Sequence, residues 1–191
     1  MIFNHFPRPR DAGFTLIETV IVVALSAIMM AALALLIYNF NVTSLYERTL
    51  AESSGSASAL MRELESLTLS AHAVLDTHDF STSSYTSSPA VLVLEIPSID
   101  SSGNALTNTY DYAVVYVVGT QAYRLLEVHA LSVRTPGTKL MSSTIESLTF
   151  TYNDADFTNV NTVTVDVQTR AQVKQATLSD RRREQIRLRN Y

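Results

Sequence analysis

An apolar segment near the N-terminus is the strongest pattern in the chain. It covers residues 14–37, and Glu18 is the only charged side chain within it. A helix over these residues is about 36 Å long at 1.5 Å per residue, which exceeds the hydrocarbon thickness of a bilayer, about 30 Å. The pattern therefore predicts a membrane-spanning helix that carries one carboxylate near its start.

After residue 37 the continuous apolar run gives way to a stripe with helical spacing. Its members recur every 3, 4 or 7 residues, which is typical of an amphipathic helix with one face on a core. The pattern predicts that the same helix continues over residues 38–76, with its weakest point at Ser53–Ser56 around Gly55, since Gly and Ser are poorer helix formers than Ala. The stripe consists of Leu50, Ala57, Leu60, Leu64, Leu67, Ala71 and Val74.

The remainder, residues 77–191, has the β-branched and alternating patterns of strands. We predict a Ser/Thr-rich loop over residues 79–89, and a hairpin around Gly119, since short β-branched runs flank that glycine. One long helix followed by about five strands predicts an α+β fold with an antiparallel sheet packed on the C-terminal half of the helix. The predicted strands cover residues 91–96, 112–118, 122–128, 145–152 and 163–167.

Charge at the N-terminus predicts the orientation of the apolar segment. Arg8 and Arg10 precede it, with only Asp11 against them. An excess of positive charge beside a membrane helix favours a cytoplasmic N-terminus. A secretory signal peptide would have a shorter apolar region, about 7–15 residues, followed by a cleavage site, so residues 14–37 are predicted to stay as an anchor.

Composition excludes several classes of site. The chain has 191 residues, a formal charge of −4 and no cysteine, so it has no disulfide, no thiolate metal site and no cysteine nucleophile. Its histidines are scattered, and Asp154 and Asp156 lack the Gly and bidentate Glu of a known calcium loop. No nucleophile–base pattern or phosphate-binding glycine loop is present. We expect no enzymatic activity, no metal and no cofactor.

The six residues Gly13-Phe14-Thr15-Leu16-Ile17-Glu18 resemble the processing and methylation site of the type IV pilin superfamily. That family includes major and minor pilins and the pseudopilins of type II secretion and competence systems. The similarity covers residues 8–37: a short basic leader, Gly, Phe, a Glu at the fifth mature position and a continuous apolar helix. Many major pilins have a proline near the position of Leu35, and its absence here argues against a major-pilin role.

The resemblance implies a processing route. A prepilin peptidase/methyltransferase would remove residues 1–13 by cleavage after Gly13 and would methylate the new amine of Phe14. Glu18 would then pair with the Phe14 amine of a neighbouring pilin or pseudopilin subunit, because two charges in a low-dielectric helix bundle are tolerated only when paired. The simpler interpretation of Glu18 is a carboxylate at the membrane interface, or one bonded within its own helix.

The resemblance also implies partners and a location. The partners would be the peptidase, other subunits, an inner-membrane assembly platform and the lipid bilayer. The protein would be a single-pass protein of the bacterial cytoplasmic (inner) membrane, with its C-terminal domain outside the cytoplasm. We expect it to be a structural subunit, a minor pilin or pseudopilin, of a type IV pilus-like or type II secretion filament.

Two alternatives remain open from the residues alone. Arg181, Arg182 and Arg183 begin a basic C-terminal cluster that is a candidate nucleic-acid contact, which would make the chain a membrane-anchored binding module for DNA or a surface. The simpler interpretation of this cluster is a solvated edge strand or tail with Ile186 and Leu188 facing inward. The second alternative is a plain anchored protein, indifferent to loss of Glu18.

Overall fold

The computed structural model describes residues 15–174 and 176–189. One long helix, α1 (Leu16–Ser70), precedes ten strands and a short 3-10 helix (Phe157–Asn159) in this part of the chain. The chain divides into two compact units, residues 1–45 and 46–191. The strands, in chain order, are β1 (Ala73–Val74), β2 (Thr77–Asp79), β3 (Ser84–Thr86), β4 (Val91–Ile99), β5 (Ala105–Val118), β6 (Gln121–Glu127), β7 (Gly137–Ser142), β8 (Ile145–Tyr152), β9 (Thr162–Val173) and β10 (Ala176–Arg187).

The described part of the first unit is helical from Leu16 onward, and its side chains are apolar and uncovered. Every residue from Leu16 to Asn41 is exposed, including a series of large aliphatic side chains. α1 is long and apolar enough to cross a membrane, and no residue in its most hydrophobic stretch is buried. A helix that is hydrophobic all round belongs in a core or a membrane, and no core covers this one.

The second unit buries one face of the later part of α1. Ala57, Leu60, Met61 and Leu64 are buried on that face, and the last three belong to the main core. The predicted stripe is therefore present in the packing, although Leu50 remains 40% exposed. The spacing of 3 and 4 between the buried positions is that of a single helical face.

α1 ends at Ser70, before the predicted end at residue 76. Ala71 donates its amide to the Thr68 carbonyl at 3.1 Å, a tighter turn than the helix, and His72 then donates to the Glu95 carbonyl at 2.8 Å. The backbone thus leaves the helix to join β4 through β1, where Val74 is buried. Val74 follows the helical spacing by position, yet it lies in a strand because the sheet supplies its hydrogen bonds.

A five-stranded antiparallel sheet has the order β1-β4-β5-β6-β7. Strands β4 to β7 follow one another in the chain and pair as neighbours, and the β5–β6 hairpin closes at Gly119 with Val118 opposite Gln121. Gly119 has a φ of +61°, a left-handed conformation that glycine adopts without steric cost. The hairpin predicted at this glycine is confirmed.

A second sheet of three antiparallel strands has the order β10-β9-β8. In β9, Val163, Val165 and Val167 are buried and alternate with partly exposed polar residues, as the sequence predicted. Ile186 and Leu188 are also buried, so the end of β10 faces the core. Both sheets, with α1, enclose one hydrophobic core, and the fold is α+β.

The far face of the five-stranded sheet is covered by a hairpin of β2 and β3, and β3 lies within the segment that was predicted to be a loop. β2 and β3 pair with each other, and Phe80 packs with Val93 and Val114 in a second small core. His78 stacks on Tyr112 with ring centroids 3.8 Å apart. The prediction of a loop over residues 79–89 was wrong at β3. The segment is rich in Ser and Thr, which favoured a loop, but its aromatic side chain Tyr85 packs on this face of the sheet.

Polar contacts join α1 to both sheets beside Gly55, where the helix was predicted to be weakest. Ser53 Oγ lies 3.0 Å from Thr169 Oγ1 on β9, and Ser56 Oγ lies 2.8 Å from Ser142 Oγ on β7. Small hydroxyl side chains at these positions bring the helix close to the strands and satisfy their own polar groups. The Ser-rich segment is therefore a docking surface of the helix.

Candidate processing and assembly site

The first turn of α1 holds the carboxylate of Glu18 in a local arrangement with Thr15. Glu18 Oε2 accepts hydrogen bonds from the Thr15 amide and from Thr15 Oγ1, both at 2.9 Å. In return, the Glu18 amide donates to Thr15 Oγ1 at 3.4 Å. This reciprocal pattern is a capping box, in which two amide groups at the helix start obtain partners from side chains.

The capping box explains why the helix begins where it does. Thr15 is the residue before Leu16, and Glu18 stands three positions after Thr15, the spacing that the motif requires. Sequence reasoning predicted a bond within the helix as one interpretation of Glu18 but missed Thr15 as the partner. The Thr-x-x-Glu spacing was the signal that would have found it.

The surroundings of Glu18 are apolar and open. Leu16, Ile17 and Val20 are 83%, 67% and 58% exposed. In a bilayer these side chains face lipid, where an unsatisfied carboxylate is costly. The two bonds from Thr15 reduce that cost while leaving the carboxylate accessible from the side.

Gly13 and Phe14, the residues predicted for cleavage and methylation, lie outside the described residues. Of the three predicted site residues, the structure places Glu18 alone, one turn into α1. The expected pairing of Glu18 with the Phe14 amine stays a prediction.

The comparison with known proteins bears on this same segment. Residues 8–34 match the family model described as the prokaryotic N-terminal methylation motif. No curated protein and no solved structure gives a significant match to the chain. The motif, together with the long apolar helix that begins within it, is consistent with a type IV pilin-like protein.

The match spans Gly13, Phe14 and Glu18 and ends within the apolar segment. It indicates a pilin-like protein that is processed by prepilin peptidase and anchored in a membrane by one helix. A motif of this kind points to a structural protein.

The three arginines that begin the basic C-terminal cluster are exposed, but two of them are engaged by carboxylates. Arg181 binds Asp166 through two bonds, of 2.9 and 2.6 Å, and this guanidinium lowers the pKa of Asp166. Arg182 contacts Asp180 at 3.2 Å and donates to Ser54 Oγ on α1 at 2.9 Å. Arg183 lies opposite Asp166 in the register of β9 and β10. These contacts link β10 to β9 and α1, and they leave little unpaired positive charge to bind phosphate.

Acidic residues of the turn before β9 bind the backbone. Asp156 Oδ1 accepts from the Thr158 amide at 3.0 Å and caps the short 3-10 helix, and Asp154 Oδ1 accepts from the Asp156 amide at 2.9 Å. No cluster of three metal-binding side chains occurs among residues 15–174 and 176–189. The geometry of this turn is accounted for by capping.

Proposed function

We propose that the chain is a minor pilin or pseudopilin, a structural subunit of a type IV pilus-like or type II secretion filament. The observation that supports the proposal is the methylation motif at residues 8–34, which includes the start of an exposed apolar helix. The helix is the part that would leave the bilayer and pack among the helices of other subunits. The assembly platform of the inner membrane and the other subunits are the partners that this role requires.

The division of the chain follows from this role. Residues 1–13 are the leader, residues 14–37 the membrane and assembly helix, and residues 38–76 its amphipathic continuation, which in the structure ends as a helix at Ser70. Residues 77–191 form the β-rich domain outside the cytoplasm. Positive charge at Arg8 and Arg10 supports this orientation.

Glu18 is the assembly residue in this proposal. Before assembly its carboxylate is held by Thr15, and in a filament it pairs with the methylated Phe14 amine of the next subunit. Removing one partner of a buried ion pair costs about 3–5 kcal/mol, because the other charge stays buried without compensation. The pair thus selects the register in which each subunit joins.

Processing is tested by intact-mass spectrometry of the full chain expressed with and without a prepilin peptidase. We expect a peptidase-dependent loss of residues 1–13 and one added methyl group on Phe14. An intact leader in the presence of an active peptidase would contradict the proposal.

Assembly is tested with Glu18→Gln, because glutamine also completes a capping box but carries no charge. We expect this variant to be processed normally and to be lost from sheared filaments, whereas the control Glu47→Gln, at an exposed glutamate of the same helix, is incorporated. Normal incorporation of Glu18→Gln would show that capping is the whole role of Glu18.

A further inference from the structure

The far face of the five-stranded sheet carries a cluster of aromatic rings that the β2–β3 hairpin leaves partly exposed. Tyr110 and Tyr112 are two positions apart on β5, so both side chains point to this face. His72 stacks on Tyr110 with ring centroids 5.3 Å apart, and His78 stacks on Tyr112. We call these four residues the ring cluster, and each of them is half-buried.

Two carboxylates flank the ring cluster. Glu95 on β4 and Glu127 on β6 both lie directly opposite Tyr112 in the strand registers, so all three side chains share one face. Two strand spacings separate the glutamates, about 10 Å at the backbone. Burial raises the pKa of Tyr112, and the Glu95 charge and Tyr110 raise it further, which places both groups near its hydroxyl. Glu127 Oε2 lies 3.7 Å from His78 Nε2.

No lysine or arginine from β1 to β7 shares this face with the two glutamates. The sequence has none between Arg62 and Arg124, a stretch that includes β1 to β5 entirely. Arg124 on β6 and Lys139 on β7 both bind Glu63 of α1, at 3.2 and 2.8 Å, so their side chains lie on the helix side of the sheet. The half-buried Glu95 carboxylate has no hydrogen bond or ion pair to any residue that the structure describes.

Partly exposed rings beside carboxylates are the two groups that a guanidinium binds. An arginine side chain stacks on aromatic rings and also donates paired hydrogen bonds to a carboxylate. A lysine ammonium pairs with the carboxylate but does not stack as a flat group on the ring. Phosphate is repelled by the negative charge, so the face favours a basic protein segment over a nucleic acid.

We propose that the ring cluster, with Glu95 and Glu127, is a docking surface for an arginine-containing segment of another protein. One guanidinium stacks on the ring of Tyr110 and pairs with Glu95, and a second pairs with Glu127. The arginines supply the positive charge that this face of the domain lacks. The proposal does not depend on assembly into a filament, since every group that it uses lies in the second unit.

The binding test uses the full chain in micelles of a neutral detergent at low salt. The probe is the pentapeptide Arg-Ala-Arg-Ala-Arg with a neutral fluorescent label, and binding is measured by fluorescence anisotropy. The same peptide with lysine or with glutamine in place of arginine is the comparison. We expect saturable binding of the arginine peptide, on the order of threefold tighter than the lysine peptide, and no saturable binding of the glutamine peptide.

Variants locate the binding. Glu95→Gln/Glu127→Gln should weaken it on the order of tenfold, whereas Glu47→Gln/Glu184→Gln, with the same charge change at exposed positions elsewhere, should leave it within about twofold. Tyr110→Leu should weaken it on the order of threefold, and Tyr110→Phe, which keeps the ring, should not. The tyrosine pair leaves the charge unchanged and keeps the test valid if the double glutamine variant does not fold.

Three results would overturn the proposal. One is the absence of saturable binding of the arginine peptide at millimolar concentration. Another is equal weakening by both glutamate pairs, which would mean attraction to the net negative charge of the chain. The last is equal affinity of Tyr110→Leu and Tyr110→Phe for the arginine peptide, which would exclude stacking on this ring.

Discussion

At the residue scale, Asp111 shows how the fold accommodates an ionised group in its interior. Burial alone raises the pKa of this carboxyl, but the hydrogen bonds from Ser132, the His129 amide, Arg134 and Ser98 together outweigh burial, and the pKa lies below its ordinary value. The folded state therefore favours the ionised form. Because its partners come from two separate segments, Ser98 on β4 and residues 129–134, the carboxylate connects a strand to a loop that is not paired with it as a strand.

Replacing Asp111 tests this connection. Asp111→Asn removes the charge while keeping the size, which leaves Arg134 near the interior without its counter-ion. We expect a loss of about 3 kcal/mol in the free energy of unfolding, measured by urea denaturation. The control Asp100→Asn changes an exposed turn and should cost less than about 1 kcal/mol. Equal losses in the two variants would mean that Asp111 contributes no more than a surface turn residue.

The contribution of Asp111 to stability should depend on pH. A carboxyl whose pKa is lowered on folding stabilises the protein above its unfolded-state pKa, about 3.9, and the stabilisation is lost as the pH falls through the folded-state pKa. We expect the difference in unfolding free energy between the parent and Asp111→Asn to be constant from pH 7 to about pH 5 and to shrink below about pH 4. A difference that does not change with pH would exclude ionisation of Asp111 as its source.

Sequence reasoning reached some of these residues and not others. Glu18 was identifiable because its motif is contiguous and its apolar surroundings make a charge conspicuous. Asp111 was not, because it stands in a strand between polar and aromatic residues, and its donors Ser98, Ser132 and Arg134 follow no local spacing. Pairings between distant segments exist only once the sheet has formed.

At the scale of elements, Gly55 is the point where α1 departs from good helix formers. A Cβ built at this glycine has nothing within 4 Å, so alanine fits without strain. We expect Gly55→Ala to stabilise the protein by about 0.5–1 kcal/mol in urea or thermal unfolding, because alanine loses less backbone entropy in a helix.

The matched control is Gly119→Ala in the β5–β6 hairpin. Its Cβ also meets open space, but φ is +61°, which alanine adopts only with strain. We expect Gly119→Ala to lower the free energy of unfolding. If Gly55→Ala also destabilises, then the flexibility of this helical position has a role that the packing does not show.

The Ser53 and Thr169 hydroxyls, which join α1 to β9, should be coupled in their contribution to the free energy of unfolding. Thr169→Val leaves the buried Ser53 hydroxyl without this partner, and Ser53→Ala leaves Thr169 Oγ1 with only its longer bond, of 3.4 Å, to the Asp180 carbonyl. Each change alone should cost about 1–3 kcal/mol. The double variant removes both groups and should cost less than the sum, so a double-mutant cycle by urea unfolding should give a favourable coupling. Additive losses would show that the two hydroxyls are satisfied independently.

Element prediction succeeded where one pattern extended over many residues. α1 was predicted from a continuous apolar run and then a stripe with helical spacing, β9 from clean alternation and β8 from imperfect alternation, and all three elements are present. β1, β2, β3 and β7 were missed because they are short or mostly exposed, so their hydrophobic pattern is weak. For β10, the sequence favoured a solvated edge strand or tail with Ile186 and Leu188 facing inward. β10 is an edge strand that pairs with β9 along twelve positions, and both side chains are buried.

At the scale of the whole molecule, the exposed apolar helix predicts behaviour in membranes. We expect the full chain to remain in the membrane pellet after alkaline carbonate extraction. Leu25→Lys/Leu33→Lys should shift it toward the soluble fraction, because each lysine near the centre of a membrane helix costs about 2.5–3.5 kcal/mol.

Leu131→Lys is the control for this extraction, since Leu131 is exposed in a loop of the second unit. It should leave the distribution unchanged. If the double lysine variant is retained as well as the parent, the segment is not the anchor.

The sequential pairing of strands has a consequence for how the domain matures. Strands β4 to β7 pair with chain neighbours, and so do β8 to β10. A polypeptide synthesised from its N-terminus can thus complete the larger sheet while about fifty C-terminal residues remain to be made, at about 5–20 residues per second. The Ser53–Thr169 contact then has to wait for β9. The smaller sheet therefore packs on α1 last, although α1 has been present since the start of synthesis. Until that step, the apolar face of α1 is the surface that needs protection from aggregation.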